Sequence, residues 1–133
     1  MFRYDRTQNA TSPRVASVLI GGEPVGIAAG EVVGLNSAGA PVKYGSTAVG
    51  APLGVAQADA AIGELVEYAT GNVAILFPAG ASPGEYAQIT AAGVVSAAAA
   101  PTEDIRLGIV LTECEAGGRA VVAWDVDYVD GGE

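Results

Sequence analysis

Apolar and polar residues along the chain form short runs that are typical of β-strands. Each run is rich in valine, isoleucine or other β-formers, and glycine or proline separates it from the next. No segment keeps the period of an amphipathic helix. The pattern therefore predicts an all-β protein. The predicted strands are 14–20, 31–35, 41–44, 53–57, 64–69, 72–77 and 120–129.

The last of these strands, AVVAWDVDYV, alternates most clearly. One face of it carries Asp125 and Asp127, and both side chains are acidic. The other face is apolar and consists of Val122, Trp124, Val126 and Tyr128. Such alternation predicts a strand that is buried on one side and solvated on the other.

The chain also resembles itself when it is shifted so that Gly30 falls on Gly84. In this alignment, which we call the repeat register, 28–42 falls on 82–96 and 52–64 on 106–118, without a gap. Most of the identical residues are glycines, which we assign to turns that need a positive φ or a close approach. The sequence thus predicts two tandem hairpin-type repeats, at 30–68 and 84–122. The identical pairs are Gly30/Gly84, Glu31/Glu85, Ala38/Ala92, Gly39/Gly93, Leu53/Leu107, Gly54/Gly108 and Gly63/Gly117.

The repeat decides how the alanine-rich stretch SPGEYAQITAAGVVSAAAA at 82–100 is interpreted. Alanine content alone favours a helix, and a glycine-rich loop or a linker is also conceivable. The repeat register instead predicts the second copy of a hairpin. A loose loop at 97–106 should follow it, matching a loop at 43–52 in the first copy.

These elements predict a single β domain at 14–130 that follows an extended polar arm at 1–13. Half of the residues are apolar but only 6% are aromatic, so the core should consist of small side chains. We expect a compact small barrel or clip-like β fold. Two interpretations of the arm stay open: a frayed terminus, or an extension that docks on a neighbour.

Charge and hydropathy narrow the range of partners. The net charge is −9 with six basic residues, which disfavours binding to nucleic acids and to anionic lipids. The first residues lack the apolar region of a secretory signal. The most apolar stretch, 15–35, is interrupted by glycine, proline and glutamate and is unsuited to a membrane helix. We expect a soluble protein that is made and used without export.

Residues with catalytic or metal-binding chemistry are scarce. The chain has no histidine, and its one cysteine, Cys114, is expected to be a small, partly buried side chain. The glycine-rich stretches match no phosphate-binding motif, because neither a helix nor a lysine follows them. Serine, threonine and tyrosine have no base to activate them, since Lys43 is the only lysine. We therefore predict no catalytic residue, no metal, no cofactor and no enzymatic activity.

Carboxylates are the only abundant reactive groups. Glu31 and Glu85 could face each other across a pseudo-two-fold axis and bind a cation. We favour a simpler interpretation, in which each is a solvated charge at the entry of a strand. Asp125 and Asp127 are likewise interpreted as a solvated face and not as a calcium site.

The chain resembles a family of small tailed-phage proteins, the capsid decoration or cement proteins. The resemblance lies in a pattern that occurs once and is then repeated: A-G-E-V-V, L, A-G and V, followed by P-L-G-V-A and G-E-L-V-E. The resemblance spans roughly residues 15–125, and the segment 1–14 lies outside it. Pro41 and the segment 72–83 are not diagnostic of the family. The matching segments are 29–35, 38–42, 52–56 and 63–67, followed by 84–89, 92–95 and 107–110.

The resemblance implies a structural role. Members of this family are compact β proteins that assemble, often as trimers, on the outside of the mature icosahedral head. The implied partners are the major capsid protein of a phage head and further copies of the chain, which would form a homotrimer. The implied location is the outer surface of the virion, with assembly in the host cytoplasm.

The arm and Arg14, which follows it, hold the residues that we expect at these contacts. Arginine and aromatic residues are enriched in interfaces, and three of the six basic residues precede residue 15. The predicted contact residues are Phe2, Arg3, Tyr4, Arg6 and Arg14.

Two other functions remain open at this point. The chain could be a structural or adhesive β module of a tail or fibre. It could also be a cellular clip-like domain that binds a sugar or an acid. A small molecule held tightly by the purified protein would favour the second of these.

Overall fold

A computed structural model describes residues 12–14, 26–46, 48–61, 64, 66–100, 102 and 105–128. The chain divides into two compact units, Met1–Gly71 and Asn72–Glu133. Most of the predicted arm, residues 1–11, lies outside the described residues. The prediction of a single domain at 14–130 stays a prediction.

The first unit contains one five-stranded antiparallel sheet. Its strands are β1 (Ser12–Arg14), β2 (Val32–Leu35), β3 (Pro41–Lys43), β4 (Val49–Ala56) and β5 (Val66–Ala69). They lie in the order β1-β5-β4-β2-β3, so β1 and β3 form the two edges.

The second unit also contains a five-stranded antiparallel sheet. Its strands are β6 (Asn72–Phe77), β7 (Tyr86–Ile89), β8 (Val95–Ala98), β9 (Ile105–Val110) and β10 (Gly118–Tyr128). Their order is β6-β10-β9-β7-β8, in which β7 to β10 take the positions of β2 to β5. The fold is all-β, as predicted, with no helix among the residues described, and hence none long and apolar enough to cross a membrane.

Backbone hydrogen bonds recur in the repeat register that the sequence predicts. The N–H of Gly30 donates to the carbonyl oxygen of Ala56 at 2.9 Å, and the N–H of Gly84 donates to that of Val110 at 2.8 Å. The carbonyl groups of Glu31 and Glu85 accept the return bonds from Ala56 and Val110. The predicted tandem repeat is therefore present in the fold.

The two hairpins of the repeat close on glycines with positive φ. Gly39 has a φ of 83° and Gly93 a φ of 92°, which side chains rarely adopt. Each donates its N–H at 2.9 Å to the residue three places earlier, Asn36 or Thr90. These two glycines thus serve the turns that the sequence predicts.

Gly54 and Gly108 lie inside strands and not in turns, and of the two predicted reasons for glycine it is close approach that applies to both. A Cβ atom added to Gly54 would lie 2.6 Å from the carbonyl oxygen of Ala69. At Gly108 it would lie 1.9 Å from that of Ala123, and the φ of 143° is also unfavourable for other residues. Close approach of the neighbouring strand therefore requires glycine at both positions.

Small apolar side chains fill the interior of each unit, as the composition predicts. In the second unit Ala87, Ala120 and Val122 are fully buried, beside the larger Ile75 and Phe77. In the first unit the buried cluster consists of Ile27, Val33, Val42, Ala56, Ala60 and Val66, with Ala48 and Tyr68 packed against it. Burial of such side chains is the main favourable contribution to folding.

The loops after the hairpins are shorter than predicted. β4 begins at Val49, so the first loop covers 44–48 and not 43–52. β8 extends to Ala98 and β9 begins at Ile105, so residues 97, 98, 105 and 106 of the second predicted loop belong to strands. All four residues of β8 are half-buried, which leaves no alternation to mark the strand in the sequence. Apart from Arg14, the predicted strand 14–20 lies outside the described residues.

The alternation predicted for β10 is present. Val122 is buried, Trp124 and Val126 are half-buried, and Asp125 and Asp127 are more exposed than Val122. The pairing with β9 shifts between Trp124 and Asp127, which marks a β-bulge or a similar irregularity.

Replacing Gly108 by alanine is expected to lower the free energy of unfolding by more than about 3 kcal/mol, because the methyl group would overlap the oxygen of Ala123. Gly39→Ala is the matched control. Its φ is also positive, but no atom lies within 4 Å of an added Cβ, so the loss should stay near about 1 kcal/mol. Urea denaturation followed by the fluorescence of Trp124 measures both losses. Equal losses would contradict the role assigned to Gly108.

Candidate functional site

The predicted contact residues fall mainly outside the described part of the chain. Phe2, Arg3, Tyr4 and Arg6 lie outside it, and Arg14 is described by its backbone only. Arg14 lies in β1, where it pairs with Val66 of β5. Ser12 and Pro13 belong to the same strand. The last two residues of the predicted arm are therefore part of an edge strand of the first sheet.

The sheet edges are candidate interaction sites. β1 and β3 border the first sheet, and β6 and β8 border the second. No other described strand pairs with their outer sides, so their outward backbone groups could accept a strand from a partner. β6 is the longest of the four at six residues. Pro41 begins β3 and has no N–H to donate, which disfavours strand addition at that edge.

Glu31 and Glu85 close equivalent turns at the entry of β2 and β7. The Oε1 atom of Glu31 accepts a hydrogen bond from the N–H of Ala28 at 2.9 Å. The Oε1 atom of Glu85 accepts one from the N–H of Ser82 at 3.0 Å. In return, the N–H groups of both glutamates donate to the carbonyl oxygens of Ala28 and Ser82. Each turn is therefore held by a reciprocal pair of hydrogen bonds.

Both glutamates stand at the entry of a strand, as predicted, but they are partly buried and hydrogen-bonded and are not simply solvated charges. The side chain of Glu31 is only 19% exposed, and Glu85 is half-buried. Both carboxylates bond within their own unit. The turn needs an acceptor at this position, which explains why glutamate occurs in both copies.

An open cleft lies beside each of these turns. The first has a volume of about 560 Å³, and the second about 380 Å³. Every residue that lines the first cleft has its counterpart, in the repeat register, in the second. The first is lined by residues 26–28, 31, 43 and 59–61. The second is lined by 79–82, 85, 96, 97 and 113–116.

The acidic groups of the first cleft are paired. The Nζ atom of Lys43 lies 3.3 Å from the Oε2 atom of Glu31. The Oδ1 atom of Asp59 accepts a hydrogen bond from the N–H of Ala29 at 2.8 Å. The carboxylate of Glu31 thus binds a backbone amide with one oxygen and an ammonium group with the other.

The second cleft has the same framework with a different charge. Ala97 occupies the position of Lys43, and Glu115 that of Ala61. Glu85, Glu113 and Glu115 line the cleft, and none of its lining residues is basic. Cys114 is half-buried with a free thiol, as the sequence predicts. The charged side chains that line the second cleft are therefore all acidic.

These carboxylates do not form a metal centre in the part of the chain that the structure describes. No group of three or more histidine, cysteine, aspartate or glutamate side chains is placed there to hold a metal ion. On β10, the Oδ2 atom of Asp127 accepts a hydrogen bond from the guanidinium of Arg106. Arg106 in turn lies 5.1 Å from the ring centre of Tyr86, within the range of a cation–π interaction.

Sequence reasoning missed Gln88, a polar residue that is 2% exposed. Its Nε2 atom donates to the hydroxyl groups of Ser96 and Thr102, at 3.1 and 2.9 Å. Its Oε1 atom accepts the N–H of Thr102 at 2.8 Å. Gln88 therefore fastens the loop before β9 to the sheet.

Comparison of the two copies of the repeat singles out Gln88, because the residue types differ at this position. Its counterpart is Gly34, where an added Cβ would lie 2.9 Å from the ring of Tyr44. Tyr44 is buried, and its own counterpart is Ala98. One copy thus fills the site with an aromatic ring and the other with an amide.

The chain matches no protein-family model and no curated protein sequence.

Glu31→Ala is expected to lower the free energy of unfolding by about 1 kcal/mol, because the N–H of Ala28 loses its acceptor. Glu31→Gln keeps an acceptor oxygen and should lose clearly less. Lys43→Ala removes only a half-exposed ion pair and should cost well under about 1 kcal/mol. Urea denaturation of the three variants measures these losses. Equal losses for the alanine and glutamine variants would contradict the turn-closing role.

Proposed function

We propose that this chain is a capsid decoration protein of a tailed phage. It would bind the outside of the expanded icosahedral head and hold neighbouring major capsid subunits together. The observation that carries the proposal is the tandem repeat. The segments that resemble the decoration family recur in the repeat register in both copies, and they occupy equivalent strands of two sheets with equivalent order.

The sheet edges support a role in assembly. A protein that binds a lattice through backbone pairing needs edge strands that its own fold does not cover. Among the described strands, β6 is an edge strand of six residues that pairs with one neighbour, β10. β1 shows the same kind of pairing within one chain, because the end of the predicted arm, Ser12 and Pro13, adds to the edge of β5 together with Arg14.

The distribution of charge also supports the proposal. Residues 1–13 contain two of the six basic residues and one of the fifteen acidic ones. Residues 14–133 contain the other four basic residues and fourteen acidic ones. The arm is therefore opposite in charge to the rest of the chain. Such segregation favours contact between the arm and an acidic surface, either a neighbouring copy or the capsid.

Stabilisation of the head would follow from linkage. A protein that binds the expanded shell but not the unexpanded one shifts the equilibrium towards the expanded form. No strong single contact is required, because many copies act on one lattice. The partners in this proposal are the major capsid protein and further copies of the chain in a homotrimer.

The full-length protein is expected to co-sediment with expanded shells assembled from the major capsid protein encoded nearest to it, and not with unexpanded shells. Deleting residues 1–11 should weaken this binding more than tenfold, by removing Phe2, Arg3, Tyr4 and Arg6. The deletion ends before Ser12, so β1 stays in its sheet. Circular dichroism and thermal unfolding check that the shortened protein is folded.

Arg3→Gln with Arg6→Gln is the matched control, since it keeps the length of the arm and removes its charge. An intermediate loss is expected for it. Unchanged binding of the shortened protein would contradict the role of the arm. Failure of the full-length protein to bind any expanded shell would contradict the proposed function.

A further inference from the structure

The second sheet has an apolar face on the side opposite to its buried residues. Tyr86 pairs with Ile109, and Ile109 pairs with Ala123, so these side chains form a row across three strands. Beside this row the N–H of Leu111 donates to the carbonyl oxygen of Val121 at 2.7 Å. Ile109 and Leu111 are 37% and 45% exposed, and the other three residues are half-buried. We call these five residues the outer face, and apolar side chains that are exposed together mark a site of interaction.

The first copy of the repeat treats the same positions differently. Leu111 corresponds in the repeat register to Gln57, and Val121 corresponds to Glu67, and both of these polar residues are exposed. The other positions of the face are apolar in the first copy but buried. These buried counterparts are Val32, Val55 and Ala69. The first copy therefore buries its apolar residues and exposes polar ones, whereas the second copy leaves apolar residues exposed.

Opposite charges border the outer face at the two ends of β10. Arg119 precedes Val121 by two residues and Asp125 follows Ala123 by two, so the four side chains lie on one side of the strand. Asp125 also lines an open cleft of about 300 Å³ together with Ala123 and Ile109. The other two basic side chains that the structure describes form ion pairs. Arg119 and Asp125 form none with the described residues, so both charges are available to a partner.

We propose that the outer face packs against the same face of a second copy of the chain, with the two β10 strands running in opposite directions. Along β10 this side is basic at one end, apolar in the middle and acidic at the other end. A two-fold axis above the middle of the strand brings Arg119 to Asp125 of the second copy, and it does so twice. A two-fold contact requires a self-complementary surface of this kind.

The same axis brings the most exposed apolar side chains together. Leu111 lies beside Val121 on β9, and Ile109 lies beside Ala123. Reversal of the strand direction therefore places Leu111 on Ile109 of the second copy. Parallel β10 strands would instead place Arg119 on Arg119 of the second copy, which like charges disfavour.

The size of the face predicts a reversible contact. It extends about 20 Å along β10 and about 20 Å across the five strands, or roughly 400 Å² in each copy. This area is at the lower end for specific interfaces, so association should depend on concentration. The inference goes beyond the proposed function and does not rest on it. If other surfaces build a homotrimer, the outer faces would pair the chains of two trimers, so particles with an even number of chains are expected.

Sedimentation equilibrium of the full chain counts the chains in each particle at concentrations up to about 1 mM. Salt at about 0.15 M screens the net negative charge of the two copies. An even number of chains is expected, with dissociation on dilution. Leu111→Gln introduces the residue of the first copy and should weaken this association by about tenfold or more. Val94→Gln is the matched control, because Val94 is 57% exposed but lies in the turn before β8, and it should change nothing.

Charge reversal tests the direction of the strands. Arg119→Asp places two acidic groups together at both ends of the contact and should weaken association by about fivefold or more. Asp125→Arg should do the same with basic groups. The protein that carries both substitutions regains opposite charges and should associate like the unchanged protein. Circular dichroism and thermal unfolding check that each variant is folded.

Several results would overturn the proposal. A single chain at every concentration would do so and would leave the outer face to a different protein partner. A trimer without any larger particle would contradict the two-fold contact, and so would an even-numbered particle that Leu111→Gln leaves intact. Failure of the double charge reversal to restore association would contradict the opposite directions of the two β10 strands.

Discussion

The close approach of two strands at a glycine is the constraint on which each sheet depends. At Gly54 the backbone of β5 leaves no space for a side chain, and at Gly108 the backbone of β10 does the same. Both glycines lie in the central strand of their sheet, β4 or β9. The hydrogen bonds that join Ala56 and Val110 to the turns of the repeat follow directly beside them. The turn, the close approach of the strands and the strand order therefore occur together in both copies.

Within this shared framework the two copies differ where side chains fill space or carry charge. Gly34 with Tyr44 in one copy corresponds to Gln88 with Ala98 in the other. The ammonium group of Lys43 has no counterpart in the second cleft. Backbone contacts thus preserve the sheet, while the clefts are free to diverge. The two copies therefore present related surfaces with different chemistry.

Part of the fold could be predicted from the sequence because backbone geometry selects particular residues. Gly39 and Gly93 mark turns through their φ angles, and the run NVAILF matches β6 residue for residue. Other features of the fold are not marked by a particular residue type. The first residues of β4 and all of β8 are small and lack alternating burial. The turn bonds of Glu31 and Glu85 depend on side-chain geometry, which a charge pattern does not reveal.

The central claim is that the two units are copies of one sheet related by the repeat register, and amide hydrogen exchange tests it most directly. The amides of Gly30, Ala56 and Gly39 should be protected, and so should those of their counterparts Gly84, Val110 and Gly93, since all six donate backbone hydrogen bonds. Protection that recurs in this register is the predicted result. Protection of one set while the other exchanges at the rate of an unfolded chain would contradict the account.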